Sequence, residues 1–161
     1  FTIDEINEKI NLRNLIMDAT SLNFGNDHFD FICSNNTFEH IYKSVLEKIL
    51  SEFKRVLKED GVMSHFIDLS DHFAHMDGSI NIYNFLQFSQ RQWNFIDNSI
   101  QPQNRLRWTD YLKMYKDLNI TVKEEEFRKG SIDLLSEVTL DAQYQTYNPE
   151  ELAISHGYIV S

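Results

Sequence analysis

Asp71, His72, His75 and Asp77 stand close together in the chain. A carboxylate beside an imidazole can fix the ring's tautomer and raise its basicity, which makes a general base. In that arrangement His72 takes the proton of a bound hydroxyl and Asp71 orients the ring. The same stretch offers His72-x-x-His75 with Asp68 and Asp77, a donor set that could hold a divalent metal instead. A polar loop that folds its histidines onto its own backbone is the third reading. Other polar groups sit at the ends of apolar runs. Asp18 closes one, Ser34-Asn35-Asn36 another, and Asp68 a third. Open α/β sheets bind ligands outside the carboxyl ends of their strands, so three such clusters suggest one site. Asp18 could equally cap a turn, and the asparagines a helix. Glu39 and His40 follow. A glutamate at a helix start is favoured by the helix dipole alone, whereas His40 has a reference pKa suited to a base. Arg105 and Arg107 flank Leu106 in an acidic chain. They could clamp a phosphate or carboxylate, or pair with surplus acids.

The elements that would position these groups read as follows. Residues 1–14 form a polar helix with Ile3, Ile6 and Ile10 on one face. Leu15–Asp18 is a short buried strand, and Asn23–His28 a turn. Phe29–Ser34 is a strand whose near-continuous apolar content suits cover on both faces, with Cys33 a buried small hydrophobe. Ile41, Val45, Ile49, Phe53 and Val56, with Leu46, Leu50 and Leu57, make a broad helical stripe that Gly61 ends. Val62–Ile67 is the next strand. Residues 68–107 are too aromatic to be disordered and read as a helical lid over the strand ends. Their aromatics suit core more often than a pocket lining. Thr109 or Asp110 caps a helix to Leu118, with Tyr111, Leu112, Tyr115 and Leu118 inward. Ile120–Phe127 is a strand, Ser131–Tyr147 is ambiguous, Asn148-Pro149-Glu150-Glu151 starts a helix, and Ile154–Val160 is the last strand.

In this order the residues resemble the second half of the class I, S-adenosylmethionine-dependent methyltransferases. The resemblance rests on Asp18-Ala19-Thr20-Ser21-Leu22-Asn23-Phe24, Phe29-Asp30-Phe31-Ile32, Phe38-Glu39-His40 and Arg55-Val56-Leu57-Lys58-Glu59-Asp60-Gly61. It implies a Rossmann-like α/β fold: a mostly parallel sheet made of the family's strands three to seven, flanked by helices, the seventh strand antiparallel. A helical lid at about 69–108 would follow strand five, all within a single domain over 1–161. It also implies S-adenosylmethionine as cofactor. Asp18 and Ala19 would meet the adenine, and Ser34 and Asn35 the methionine end and its methyl group. Asn36, His40, His75, Arg105 and Arg107 would face a small-molecule or saccharide-like acceptor, and a bacterial subgroup of the family points to cell-surface sugars. His72 and Asp71 would be catalytic. No resident metal is expected. The glycine-rich loop of the family has no counterpart, since all five glycines are isolated and no Gly-x-Gly exists. The chain opens on Phe1 and reads as a fragment, a processed chain or the ordered part of something longer; the resemblance implies the C-terminal part of a longer enzyme. The alternative is a non-catalytic remnant that pairs with a second copy through its incomplete sheet.

Composition narrows the partners. The net charge of -10 disfavours nucleic acid and anionic membrane, which reward basic patches. One cysteine allows no intramolecular disulfide and fits a reducing compartment, so a cytoplasmic protein is expected. No apolar run approaches the roughly 18 residues that suggest a membrane span.

Overall fold

The computed structural model describes residues 2–161, the side chains of Ile3 and Asp4 excepted. The expectation for Ile3 lies outside the described side chains. A capping box from Thr2 starts α1 (Ile3–Lys9), whose Ile6 and Ile10 are exposed rather than packed. Residues 12–18 carry no regular structure, so the expected strand at Leu15–Asp18 is absent. A strand needs a neighbour to take its backbone groups, and no described residue pairs with this segment.

The sheet has four strands, β1 (Phe29–Asn35), β2 (Leu57–Asp68), β3 (Glu124–Arg128) and β4 (His156–Val160), in the order β1-β2-β4-β3. β1 and β2 are parallel, while β4 is antiparallel to both β2 and β3. Three strands therefore run one way and the last inserts against them, as expected. β3 begins later than the sequence suggested, at Glu124, and is exposed throughout.

β1 departs from its reading. Phe31, Cys33 and Asn35 share an exposed face, while Ile32 and Ser34 turn inward. Cys33 is thus exposed, not a buried hydrophobe. Side chains alternate along a strand, and only one face of β1 is covered among the described residues.

A 3-10 turn over Phe38–His40 leads to α2 (Lys43–Val56). Leu46, Ile49, Leu50 and Val56 are buried, Ile41, Phe53 and Leu57 pack beside them, and Val45 is more exposed than its place in the stripe suggested. The helix stops at Val56, before Gly61. Leu57 is already extended because it pairs with Phe29 of β1. Gly61 serves close approach: a Cβ there would meet the Leu57 side chain at 2.8 Å.

Beyond β2, 3-10 turns over His72–His75 and Asn84–Gln87 and the short α3 (Gln90–Ile96) form the excursion. α4 (Trp108–Asp117) is capped at Arg107, whose N–H donates to Asp110 Oδ2 at 2.8 Å. Asp110 is therefore inside the helix, not its cap. Trp108, Tyr111, Met114 and Tyr115 complete the main core with α2 and the sheet. The ambiguous stretch resolves into α5 (Ile132–Ser136) and a 3-10 turn at Ala142–Tyr144. α6 (Pro149–Leu152) starts as expected, with Asn148 accepting from the Glu150 N–H. Tyr83, Phe85, Leu86 and Trp93 of the excursion pack on Leu135, Tyr144 and Leu152, a second core. Most of the excursion's aromatics pack there, as the sequence suggested.

Candidate active site

β1 ends at Asn35 and β2 at Asp68, side by side and parallel. A cavity of about 290 Å³ opens at those two ends, lined by Asn36, Glu39, His40, Asp68, His72, His75, Met76 and Gln101. Local chemistry explains how each group arrives there. Asn36 takes a positive φ of 48°, which an asparagine tolerates, and its N–H donates to Phe66 O. The turn after it swings Glu39 and His40 back over the strand ends. Asp71 caps the His72–His75 turn by accepting from the Phe73 N–H at 2.9 Å, and this presents both histidines to the cavity. A second hollow of about 160 Å³ shares His72, Met76 and Gln101 and continues toward Phe73, Trp93 and Ile100.

Asp71 itself does not orient His72. It is fully buried, and its other oxygen accepts from Asn84 Nδ2 at 3.2 Å. Adjacent residues of a tight turn point different ways, and Asp71 points down. The carboxylate that faces the histidines is Asp68, with Oδ2 3.5 Å from His75 Nε2 and 4.0 Å from His72 Nε2. Asp77 holds Ser79 and takes no part in the cluster. Burial holds the His72 imidazole below its usual pKa, the Asp68 charge opposing this and His40 adding to it. His72 is therefore largely a free base at neutral pH.

Two hydrogen bonds fix tautomers. His40 Nδ1 lies 2.8 Å from the Pro102 carbonyl oxygen, which can only accept. Nδ1 therefore carries the hydrogen and Nε2 the lone pair. His75 Nε2 lies 3.0 Å from Ser70 Oγ, whose own hydrogen goes to Asp68 Oδ1 at 2.7 Å. His75 Nε2 is therefore the donor.

Glu39 is the residue whose weight the sequence hid. It is 2% exposed, and neither carboxylate oxygen has a hydrogen-bond partner among the described residues. Burial pushes its pKa up to about 7. A buried ionisable group that lines a cavity is a common mark of a working site. The helix-dipole explanation of Glu39 gave no hint of this, because burial is a tertiary property.

The remaining candidates fall elsewhere. Asp18 is exposed and accepts from the N–H and hydroxyl of Thr20, and the backbone bond leads in lowering its pKa. With Ala19 it forms a turn of its own. Ser34 Oγ pairs with His65 Nδ1 at 2.8 Å, and the Asn35 carbonyl accepts from Thr37 Oγ1. None of the four lines the cavity. Arg105 and Arg107 are not anion clamps. Arg105 donates to the carbonyls of Phe85 and Phe88 and lies 4.8 Å over the Trp93 ring. Arg107, fully buried, donates to the carbonyls of Leu69, Leu152 and Ile154. Both tie irregular backbone together, where carbonyls outnumber N–H groups. A cavity of about 630 Å³ lies between α4 and β3 and has no histidine in its lining.

Known proteins agree with this architecture. Residues 2–64 match the family model of a methyltransferase domain. No curated protein matches the sequence. The fold is similar to that of the PH0226 protein from Pyrococcus horikoshii OT3, with 16% identity and a TM-score of 0.59 over 98% of this chain and 63% of that one. It is also similar to geranyl diphosphate C-methyltransferase from Streptomyces coelicolor A3(2), a structure in complex with Mg2+, geranyl diphosphate and S-adenosyl-L-homocysteine. There the identity is 12% and the TM-score 0.58, over 98% of this chain and 55% of that one. A SAM-dependent methyltransferase from Methanosarcina mazei aligns at 13% identity and a TM-score of 0.52, over 89% and 63%. Residues 2–64 therefore resemble a methyltransferase domain, and the chain as a whole is similar in fold to these structures. The chain spans less than two thirds of the length of these three structures. No helix among the described residues is long and apolar enough to cross a membrane.

Proposed function

We propose that the protein is the C-terminal part of an S-adenosylmethionine-dependent methyltransferase acting on a small-molecule or saccharide-like acceptor. The observation that carries this reading is the cavity at the carboxyl ends of the parallel strands β1 and β2, lined by Asn36, Glu39, His40, Asp68, His72 and His75. Ligands of open α/β sheets bind at such a crevice. Asp18 and Ala19 hold the adenine, and Ser34 and Asn35 border the methionine end. Asn36, His40 and His75 contact the acceptor. S-adenosylmethionine would supply the methyl group there, with the electron pair of the broken carbon–sulfur bond left on sulfur. Where the acceptor is a hydroxyl, its proton would pass to His72, which Asp68 faces. Most of the acceleration comes from alignment of acceptor and methyl group.

Calorimetric titration with S-adenosylhomocysteine tests this reading. Saturable binding that Asp18→Ala weakens by about tenfold, the cost of roughly one lost hydrogen bond to a buried ligand, is the expected result. His72→Ala should bind the ligand normally but transfer methyl groups slowly. No binding up to millimolar ligand would end the case for a cofactor site in this chain.

A second reading has its own support. Phe31 is 56% exposed on the open face of β1, and Leu15 and Ile16 are exposed before it. An apolar sheet face and a free edge invite a partner. In that reading the chain is a non-catalytic module that self-associates across β1.

A further inference from the structure

Glu39, His40 and His72 bring one carboxylate oxygen and two imidazole nitrogens within 4.8 Å of one another in the cavity. We infer that these three residues bind a single divalent transition-metal ion of the Zn2+ class. Bonds of about 2.0–2.2 Å to one ion require the three atoms to draw together by roughly 1 Å. Three independent features favour this trio. Glu39 is 2% exposed, and both its oxygens lack a partner among the described residues. A buried polar group without a partner is costly, and an ion removes that cost. His40 donates its Nδ1 hydrogen to the Pro102 carbonyl at 2.8 Å, the outer contact that fixes a metal-ligating imidazole and leaves Nε2 free. Neither ring nitrogen of His72 makes a hydrogen bond to a described residue, and its ring lies 4.7 Å from that of His40.

A competing trio, Asp68, His72 and His75, is equally compact but already satisfied. Its His75 Nε2 is spent on Ser70, and Asp68 Oδ1 accepts from both the N–H and the hydroxyl of Ser70. Asp68 and His75 are the outer layer of the site, not ligands. Two nitrogens and one oxygen suit Zn2+, Co2+ or Mn2+ better than Mg2+ or Ca2+, which prefer all-oxygen sites. Three protein ligands leave a position open. The ion's role rests on the methyl-transfer reading: it would lower the pKa of a coordinated acceptor hydroxyl so that the proton leaves to water, and His72 would then serve as ligand in place of the base assigned to it above.

The test is titration of chelator-stripped protein with Zn2+ by calorimetry and with Co2+ by visible absorption. One ion per chain is expected, in a Co2+ spectrum of low coordination number, with excess Mg2+ failing to displace it. Glu39→Gln and His40→Ala should each weaken binding at least ~10-fold, while His75→Ala stays within about threefold. Glu39→Gln keeps the shape of the side chain, and its thermal melt checks that the fold is intact. Absence of saturable binding overturns the inference. So does equal affinity in Glu39→Gln, or loss of binding in His75→Ala alone. S-adenosylhomocysteine binding is read separately: its loss with ion binding intact ends only the methyl-transfer reading, and the converse ends only this one.

Discussion

Glu39 and His65 are both buried and titratable, and they oppose each other in pH. His65 sits in β2, stacked 4.3 Å from Phe38, and burial pushes its pKa down to about 4. Between that value and the usual 6.5, the unfolded chain holds a proton that the folded chain refuses, so stability falls on acidification. Glu39 does the reverse. From 4.5 to about 7 the folded chain keeps a proton that the unfolded chain releases, so stability falls as pH rises. Each full shift is worth about 3 kcal/mol at most. In metal-free protein the two slopes offset, and urea unfolding of the wild type should change little between pH 5 and about 6.5. Glu39→Gln should unmask the loss of stability toward acid, and His65→Leu the loss toward neutral pH. Parallel curves for all three proteins would show that neither group is shifted as described.

Arg107 works at the scale of elements. Its guanidinium joins the end of β2, through Leu69, to the end of α6 and the approach to β4, through Leu152 and Ile154. Removal leaves three buried carbonyls without their donor, so Arg107→Ala should cost about 3–5 kcal/mol. Arg107→Lys should also be clearly destabilised, because one ammonium cannot span carbonyls that a planar fork bridges. Denaturant midpoints measure both, and a lysine variant as stable as wild type would show that charge alone matters there. The sequence could not announce this role. An arginine that serves carbonyls and one that serves a ligand read alike until the chain is folded. The same limit explains Asp71, which neighbours His72 in sequence yet points away from it. What was legible was local: the apolar stripe of α2, the Asn148-Pro149 start of α6 and the histidines that gather at the strand ends. Each depends on spacing or capping within a few residues. Leu15–Asp18, β1's open face and the stop of α2 before Gly61 depend on which distant segment supplies a partner, and so were misread.

At the scale of the whole molecule, the open face of β1 is what the fold leaves unresolved energetically. Phe31 and Cys33 lie on it, and Ile16 is fully exposed in the segment before it. Among the described residues β1 pairs only with β2, so its other edge has no strand partner there. Burying apolar surface gains about 25 cal/mol per Å², which rewards any protein surface that can lie against this one. The isolated chain should therefore self-associate, with light scattering giving a mass that rises with concentration. Phe31→Glu places a charge in the middle of that face and should return the chain to a monomer. Its melting temperature should change little, because an exposed side chain gives up few packing contacts. Cys33 supplies an independent readout. Its thiol should react with a maleimide faster as the wild type is diluted, and at one rate at all concentrations in Phe31→Glu. A wild-type chain that stays monomeric up to about 100 µM, weaker than roughly 5.5 kcal/mol of association, would remove the self-association reading. The face would then be open to a partner other than a second copy of this chain.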